Sequence, residues 1–232
     1  MKQPLVLLPG MMCDERLFAP QIEALASTWA ISVADLTQHD SIASLAASVL
    51  DNSPQTFALA GLSMGGIVAM EIMRQAPERV TRLGLFDTNP LAEADAMKAR
   101  RAPQIAKARA GGLLEIMKHE MKPNYLAEGP YRSQILDLCM DMAIDLGVDA
   151  FVNQSVALRD RQDQQEILKR VTVPTIVVCG EGDVLCPIER HQLMHDLIEG
   201  SSFEIIGGAG HLPTLEQADK VNVVLRRWLE ET

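Results

Sequence analysis

Short apolar runs, each closed by a glycine, proline or aspartate, recur along the chain with longer amphipathic stretches between them. Leu5-Val6-Leu7-Leu8 ends at Pro9-Gly10, and an unalternating run of this kind reads as a strand buried on both faces of a parallel sheet. Further strand candidates are Ala30–Ala34 before Asp35, Thr56–Ala60 before Gly61, Arg82–Phe86 before Asp87, Thr175–Cys179 after Pro174, and Ser202–Ile206. Between them, helical spacing opens at Asp14 with Ile22, Leu25 and Ala26 on its apolar face, and at Ser41 with Leu45, Val49 and Leu50 inward. Met64–Gln75 is rich in helix formers and stops at Pro77, and further helices are expected around Arg190–Ile198 and over Gln217–Trp228.

Strand and helix therefore alternate to about residue 90, the pattern of βαβ units. The alternation lapses between Leu91 and Lys169, where helical stretches are broken at Gly111-Gly112, Pro123 and Gly129-Pro130, and it resumes at Pro174. The reading is an α/β fold: a mostly parallel sheet of about six strands with helices on both faces. Residues 1–90 and 170–232 build the core, and residues 91–169 form a helical insertion. The 232 residues suffice for one such domain with a buried sheet.

Composition narrows the function. The net charge of −10 argues against a nucleic-acid partner, because phosphate binding needs a basic face. The apolar run at Leu5–Leu8 is too short for a signal-peptide core or a membrane span. Cys13, Cys139, Cys179 and Cys186 are scattered, without the spacing of a disulfide framework or a zinc site, so a cytoplasmic setting is expected.

The chemistry gathers at strand ends. Gly61-Leu62-Ser63-Met64-Gly65-Gly66 lies between an apolar strand and a helix, where a sharp turn would expose the Ser63 hydroxyl. Glycines at 61 and 65 remove side chains that would collide in that turn. The turn also leaves the Met64 N–H free at a helix N-terminus, where developing negative charge is favoured. Serine needs a base. His211, in the loop Gly207–Pro213 after the last strand candidate, is the best placed of the five histidines. His39 and His119 read as solvated. His191 and His195 have the i, i+4 spacing of a metal pair, but no glutamate follows His191 as in the zinc-protease motif, so no metal is expected. For the acid, Asp183 in Gly180-Glu181-Gly182-Asp183 has strand-end position and the order Ser, Asp, His. Asp87, at the end of an earlier strand, is its rival. Gly10 after the first strand lets backbone approach a substrate, so the Met11 N–H is a candidate partner for that of Met64.

Taken together, these pieces resemble the α/β-hydrolase superfamily, in particular its small lidded esterase-like members. The resemblance rests on Leu7–Gly10, Gly61–Gly66, Val173–Thr175 with Gly180–Asp183, and Gly210-His211, spread over almost the whole chain. It implies a Ser63–Asp183–His211 triad, an oxyanion hole of the Met11 and Met64 amides, and a helical cap at residues 91–169. Three departures stand out. Many relatives have His-Gly where this chain has Pro9-Gly10, and Leu36–Asp40 replaces a loop usually rich in glycine. The chain also opens at what corresponds to the family's third strand.

The resulting expectation is a serine hydrolase of a small, mainly apolar carboxylic ester or thioester, working through an acyl-enzyme on Ser63 without a cofactor. Met11, Met12 and Met64 suggest an adaptable apolar pocket. Carbon–carbon bond hydrolysis of a β-diketone-like substrate and a non-catalytic ligand-binding role stand as alternatives. Epoxide and haloalkane chemistry are not expected, since relatives with those activities carry Asp where this chain has Ser63.

Overall fold

The computed structural model describes residues 2–230; Met1 and residues 231–232, the outer ends of the two expected core segments, lie outside the described residues. Strands β1 (Gln3–Leu8), β2 (Trp29–Val33), β3 (Phe57–Leu62), β4 (Val80–Phe86), β5 (Thr175–Gly180) and β6 (Ser202–Ile206) form a six-stranded sheet in the order β2-β1-β3-β4-β5-β6. Every neighbouring pair is parallel. Helices α1 (Ala19–Leu25), α2 (Ile42–Asp51) and α3 (Met64–Gln75) are followed by α4 (Asp95–Lys107), α5 (Leu113–Ile116), α6 (Arg132–Arg159) and α7 (Gln165–Leu168). The order closes with α8 (Ile188–Leu197), α9 (Pro213–Glu216) and α10 (Ala218–Glu230).

The four inner strands β1, β3, β4 and β5 are buried on both faces over most of their length, as expected of a parallel sheet, and the edge strands β2 and β6 are partly exposed. Leu5 and Leu7 of β1 pack in one core with Leu25 of α1 and Val221, Leu225 and Trp228 of α10. Val6 and Leu8 point the other way, into a core with Leu45 of α2, Val68 and Ile72 of α3 and Met194 of α8. In α10 the buried residues Val221, Val224, Leu225, Trp228 and Leu229 fall at the i, i+3, i+4, i+7, i+8 spacing of an amphipathic helix.

Parallel pairing sets where chemistry can gather. Leu8 is in register with Gly61, Leu62 with Phe86, and Phe86 with Val178, so four strands end along one edge. The chain leaves β1 for β2 on one side and returns to β3 on the other. The β1/β3 boundary is therefore a topological switch point, with its crevice beyond the strand C-termini.

The residues between β4 and β5 are helical, and the helices are interrupted at all three expected breaks. Gly111 has φ 89°, Pro123 lies in a single turn over Lys122–Asn124, and residues 129–130 precede α6. Another break, at Gly147 inside α6, has φ 79°, a conformation L side chains avoid. Strand β3 runs two residues past the expected Ala60 because Gly61 and Leu62 keep pairing with Leu85 and Phe86. The last helix begins at Ala218 rather than Gln217, whose φ −136° and ψ 50° separate it from α9. Among the described residues, no helix is long and apolar enough to cross a membrane.

One buried side chain ties α6 to the sheet. Gln154 is fully buried, accepts from the Met12 amide at 2.9 Å and donates to the Leu36 carbonyl at 3.1 Å. It thus spans the loops after β1 and β2. Replacing Gln154 by Leu strands a buried donor and a buried acceptor, and the expected loss is about 2–4 kcal/mol. The urea midpoint of the variant checks this, and an unchanged midpoint contradicts it.

Candidate active site

Ser63 sits between the last residue of β3 and the first of α3, with φ 56° and ψ −115°. A non-glycine residue there is strained and is retained only where its surroundings fix it. The surroundings are specific. The Ser63 amide donates to the Phe86 carbonyl at 2.9 Å, and its carbonyl accepts from the Thr88 hydroxyl at 2.7 Å. Gly61 and Gly65 make the turn possible: a Cβ on Gly61 would lie 2.3 Å from the Gly65 carbonyl oxygen, and one on Gly65 would lie 2.0 Å from that of Leu8. Helix α3 therefore runs in backbone contact with β1.

The elbow presents Ser63 Oγ 2.9 Å from His211 Nε2, and His211 Nδ1 lies 2.8 Å from Asp183 Oδ2. Because Asp183 is an acceptor, the Nδ1 proton points to it, and Nε2 is left to accept from the Ser63 hydroxyl. The remaining carboxylate oxygen, Asp183 Oδ1, accepts from the amides of Leu185 at 2.8 Å and Cys186 at 3.0 Å. Burial pushes the Asp183 carboxyl up. The His211 ring and these two amides more than offset that and hold it below the ordinary value, ionised at neutral pH.

Of the two candidate acids, only Asp183 is hydrogen-bonded to His211. Asp87 lies beneath it, fully buried, with φ 42° and with Oδ1 accepting from the Gly180 amide at 2.8 Å. Burial, reinforced by the neighbouring Asp183 charge, raises the Asp87 carboxyl well above its ordinary value. Burial thus favours the protonated form of Asp87, while hydrogen bonds and the His211 ring favour the ionised form of Asp183.

Met11 follows Gly10 in a tight turn closed by the Cys13 amide on the Gly10 carbonyl at 3.2 Å. Met64 is the first residue of α3. Among the described residues, neither the Met11 nor the Met64 amide donates to a protein acceptor. Both line the same cavity as Ser63 and His211, about 620 Å³ in volume.

The other histidines do different work. His39 is exposed, and the exposed His119 pairs with Glu115 at 3.3 Å. His195 Nδ1 lies 2.8 Å from the Ser201 hydroxyl. His191 is fully buried: its Nε2 accepts from the Thr88 amide at 3.0 Å, and Nδ1 faces the Pro187 carbonyl at 3.3 Å. It fixes the loop whose Thr88 hydroxyl grips Ser63. Among the described residues, donor atoms of Asp183, Cys186 and His211 come within 4.8 Å of one another, but a metal there would have to break the Asp183–His211 hydrogen bond. All four cysteines are free thiols.

Sequence reasoning missed Glu216. It is the last residue of α9, about one helical turn past Leu212, and its carboxylate accepts from the amides of Gly210, Leu212 and Ala127 at 2.8–3.0 Å. The His211 amide donates to the Tyr125 carbonyl at 2.7 Å, so the histidine loop is bound from both sides. No spacing rule marks Glu216, because its three donors come from distant or irregular backbone. The pair Thr88–His191 was hidden for the same reason.

Comparison with known proteins gives one consistent answer. A family model described as "Alpha/beta hydrolase family" matches residues 5–224. The pimeloyl-[acyl-carrier protein] methyl ester esterase of Neisseria meningitidis serogroup B is 22% identical over 236 residues, 97% of this chain and 92% of that protein. Its counterpart in Legionella pneumophila (strain Paris) is 25% identical over 232 residues, covering 93% and 90%. Among solved structures, a thermophilic esterase from Thermogutta terrifontis, with malate bound, superposes with a TM-score of 0.90 at 25% identity, covering 99% of this chain and 90% of the other. An enol-lactonase from Burkholderia xenovorans shares the fold with a TM-score of 0.88 at 20% identity, covering 100% and 92%.

The buried His191 generates a pH dependence of stability. Burial, partly countered by the Pro187 carbonyl, pulls its imidazole down from 6.5 to about 4. Between those values the unfolded chain binds a proton that the folded one does not, so stability falls as pH drops through that window, by up to about 3 kcal/mol. Urea midpoints at about pH 7 and about pH 4.5 are expected to show a shallower fall for His191→Gln than for the wild type. Equal slopes contradict this.

Proposed function

The chain belongs to the alpha/beta hydrolase family and is an esterase-like hydrolase, and from that premise we propose that Ser63 is its nucleophile, His211 its general base and acid, and Asp183 the orienting carboxylate. The hydrogen-bonded chain from Ser63 Oγ through His211 to Asp183, at 2.9 and 2.8 Å on the wall of one cavity, carries this reading.

The reaction follows from those contacts. His211 Nε2 takes the Ser63 proton as Oγ attacks the ester carbonyl carbon, and Asp183 stabilises the imidazolium that forms. The tetrahedral oxyanion is held by the Met11 and Met64 amides, whose freedom from protein acceptors supports that role; one such donor is typically worth about 100–1,000-fold in rate. Collapse breaks the bond to the leaving alcohol or thiol, which receives the proton from His211. Water, deprotonated by the same nitrogen, then releases the acid and restores Ser63. The substrate is a small carboxylic ester or thioester, and the relatives named as esterases favour this over carbon–carbon cleavage. No cofactor enters these steps.

Residues 91–169 act as a cap. Met97, Arg101 and Gln104 of α4 and Tyr125 line the cavity opposite Ser63, so this segment sets acyl and alcohol preference. The free thiols fit a reducing compartment, the cytoplasm.

Ser63→Ala is expected to lower turnover of 4-nitrophenyl butyrate at least about 1,000-fold and to abolish fluorophosphonate labelling. Unchanged labelling would end the proposal. The two acids separate likewise. Asp183→Asn is expected to cost about 10⁴-fold in kcat, while Asp87→Asn, which leaves the Asp183–His211 hydrogen bond in place, stays within about tenfold of the wild type. The reverse ranking would reassign the orienting acid to Asp87.

A further inference from the structure

The cavity at Ser63 carries charge opposite to that of the protein. In a chain of net charge −10, the cationic side chains on its wall are Arg100, Arg101, Arg161 and Arg190, against only Glu93 and Glu120 among the carboxylates. These arginines come from α4, from the segment after α6 and from α8, so they are not a local run of charge but converge only in the folded chain.

At the centre is a shielded trio. Glu93 Oε2 lies 3.0 Å from Arg101 Nη2 and Glu93 Oε1 lies 3.1 Å from Arg161 Nη2, with side-chain exposures of 5%, 11% and 9% for Glu93, Arg101 and Arg161. One carboxylate shared by two guanidiniums leaves a full positive charge where little water reaches it, a costly arrangement unless an anion completes it. Other contacts compensate only in part. Arg161 Nε donates to the Leu91 carbonyl at 3.0 Å, Arg101 Nη1 reaches the Met11 sulfur at 3.6 Å, and Arg101 Nε has no acceptor among the described residues. Burial pulls the Arg161 guanidinium below its ordinary value, as expected of a cation short of counter-charge. Arg100 and Arg190 form no ion pair with any described residue. The contact with Met11 puts the trio one methionine side chain from the amide assigned to the oxyanion.

We propose that this arginine cluster is a carboxylate subsite, and that the preferred substrate is a small ester bearing a carboxylate a few carbons from the scissile carbonyl. A monoanion matches the single uncompensated charge of the trio, and a planar carboxylate matches the guanidinium fork. The two rim arginines, Arg100 and Arg190, stand outside any ion pair among the described residues and draw the anion toward a cavity in an otherwise acidic protein. The inference rests on Ser63 as the nucleophile, because that reading makes the cavity a substrate site.

The test compares mono-4-nitrophenyl glutarate with the neutral 4-nitrophenyl hexanoate. The wild type is expected to favour the carboxylate ester by about tenfold or more in kcat/KM at about 20 mM salt, through KM, with the margin narrowing at about 300 mM. Arg161→Gln and Arg101→Gln are expected to reduce the ratio about tenfold, and Arg190→Gln about threefold. Equal or better use of the neutral ester by the wild type overturns the proposal. If Arg161→Gln fails to fold, the rim variants Arg190→Gln and Arg100→Gln carry the same comparison. Calorimetric titration with glutarate separates this proposal from the reading of Ser63. Glutarate is expected to bind wild type and Ser63→Ala alike and Arg190→Gln more weakly, whether or not either ester is hydrolysed. Absence of glutarate binding to the wild type counts against the subsite alone.

Discussion

Backbone contact of helix α3 with strand β3 at Gly61 and with strand β1 at Gly65 is the constraint from which the site follows. With a Cβ at residue 65 only 2.0 Å from the Leu8 carbonyl oxygen, no other residue type fits without moving the helix off the sheet. That approach brings the start of α3 beside the end of β1, so the Met64 and Met11 amides flank Ser63. It also forces Ser63 to φ 56°, and the strain is held by hydrogen bonds to Phe86 and Thr88 on the neighbouring strand end. Thr88 in turn depends on the neutral His191. The position of the Ser63 hydroxyl is thus the end of a chain of contacts that begins with two missing side chains.

Electrostatics completes what packing begins. Two aspartates share one buried region, and the fold separates them by assigning the amides of Leu185 and Cys186 and the His211 ring to Asp183. Asp87 receives a single amide and lies next to that charge, so its carboxyl is pushed toward the protonated form. Only the ionised member can orient and stabilise an imidazolium. Glu216 fixes the other side of the histidine by gathering three amides from two loops, which limits the movement of His211 away from Ser63.

The cavity is mainly apolar, as expected, but one part of its wall was not foreseen. Methionines do surround the amides at Met11 and Met64, but the wall built by residues 93–104, Arg161 and Arg190 is rich in guanidinium groups. An acidic surface with a cationic interior favours anions that fit the cavity.

How much of this the sequence determined depends on the range of the forces involved. The six strands, the order of helices, the elbow at Ser63 and the loop position of His211 were legible because apolar runs, glycines and strand-end turns are local features. Asp183 and Asp87 were both legible as strand-end acids with Asp183 preferred, and the contact with His211 that separates them is made only in the folded chain. Glu216, the His191–Thr88 support and Gln154 gave no signal, since each side chain satisfies backbone groups far along the chain. The arginine cluster was equally silent. Its members stand between positions 100 and 190 and form a charged wall only when the helices after β4 fold back over the sheet. Local sequence set the kind of chemistry, and the tertiary structure decided its partners, because hydrogen bonds and charge compensation act between neighbours in space.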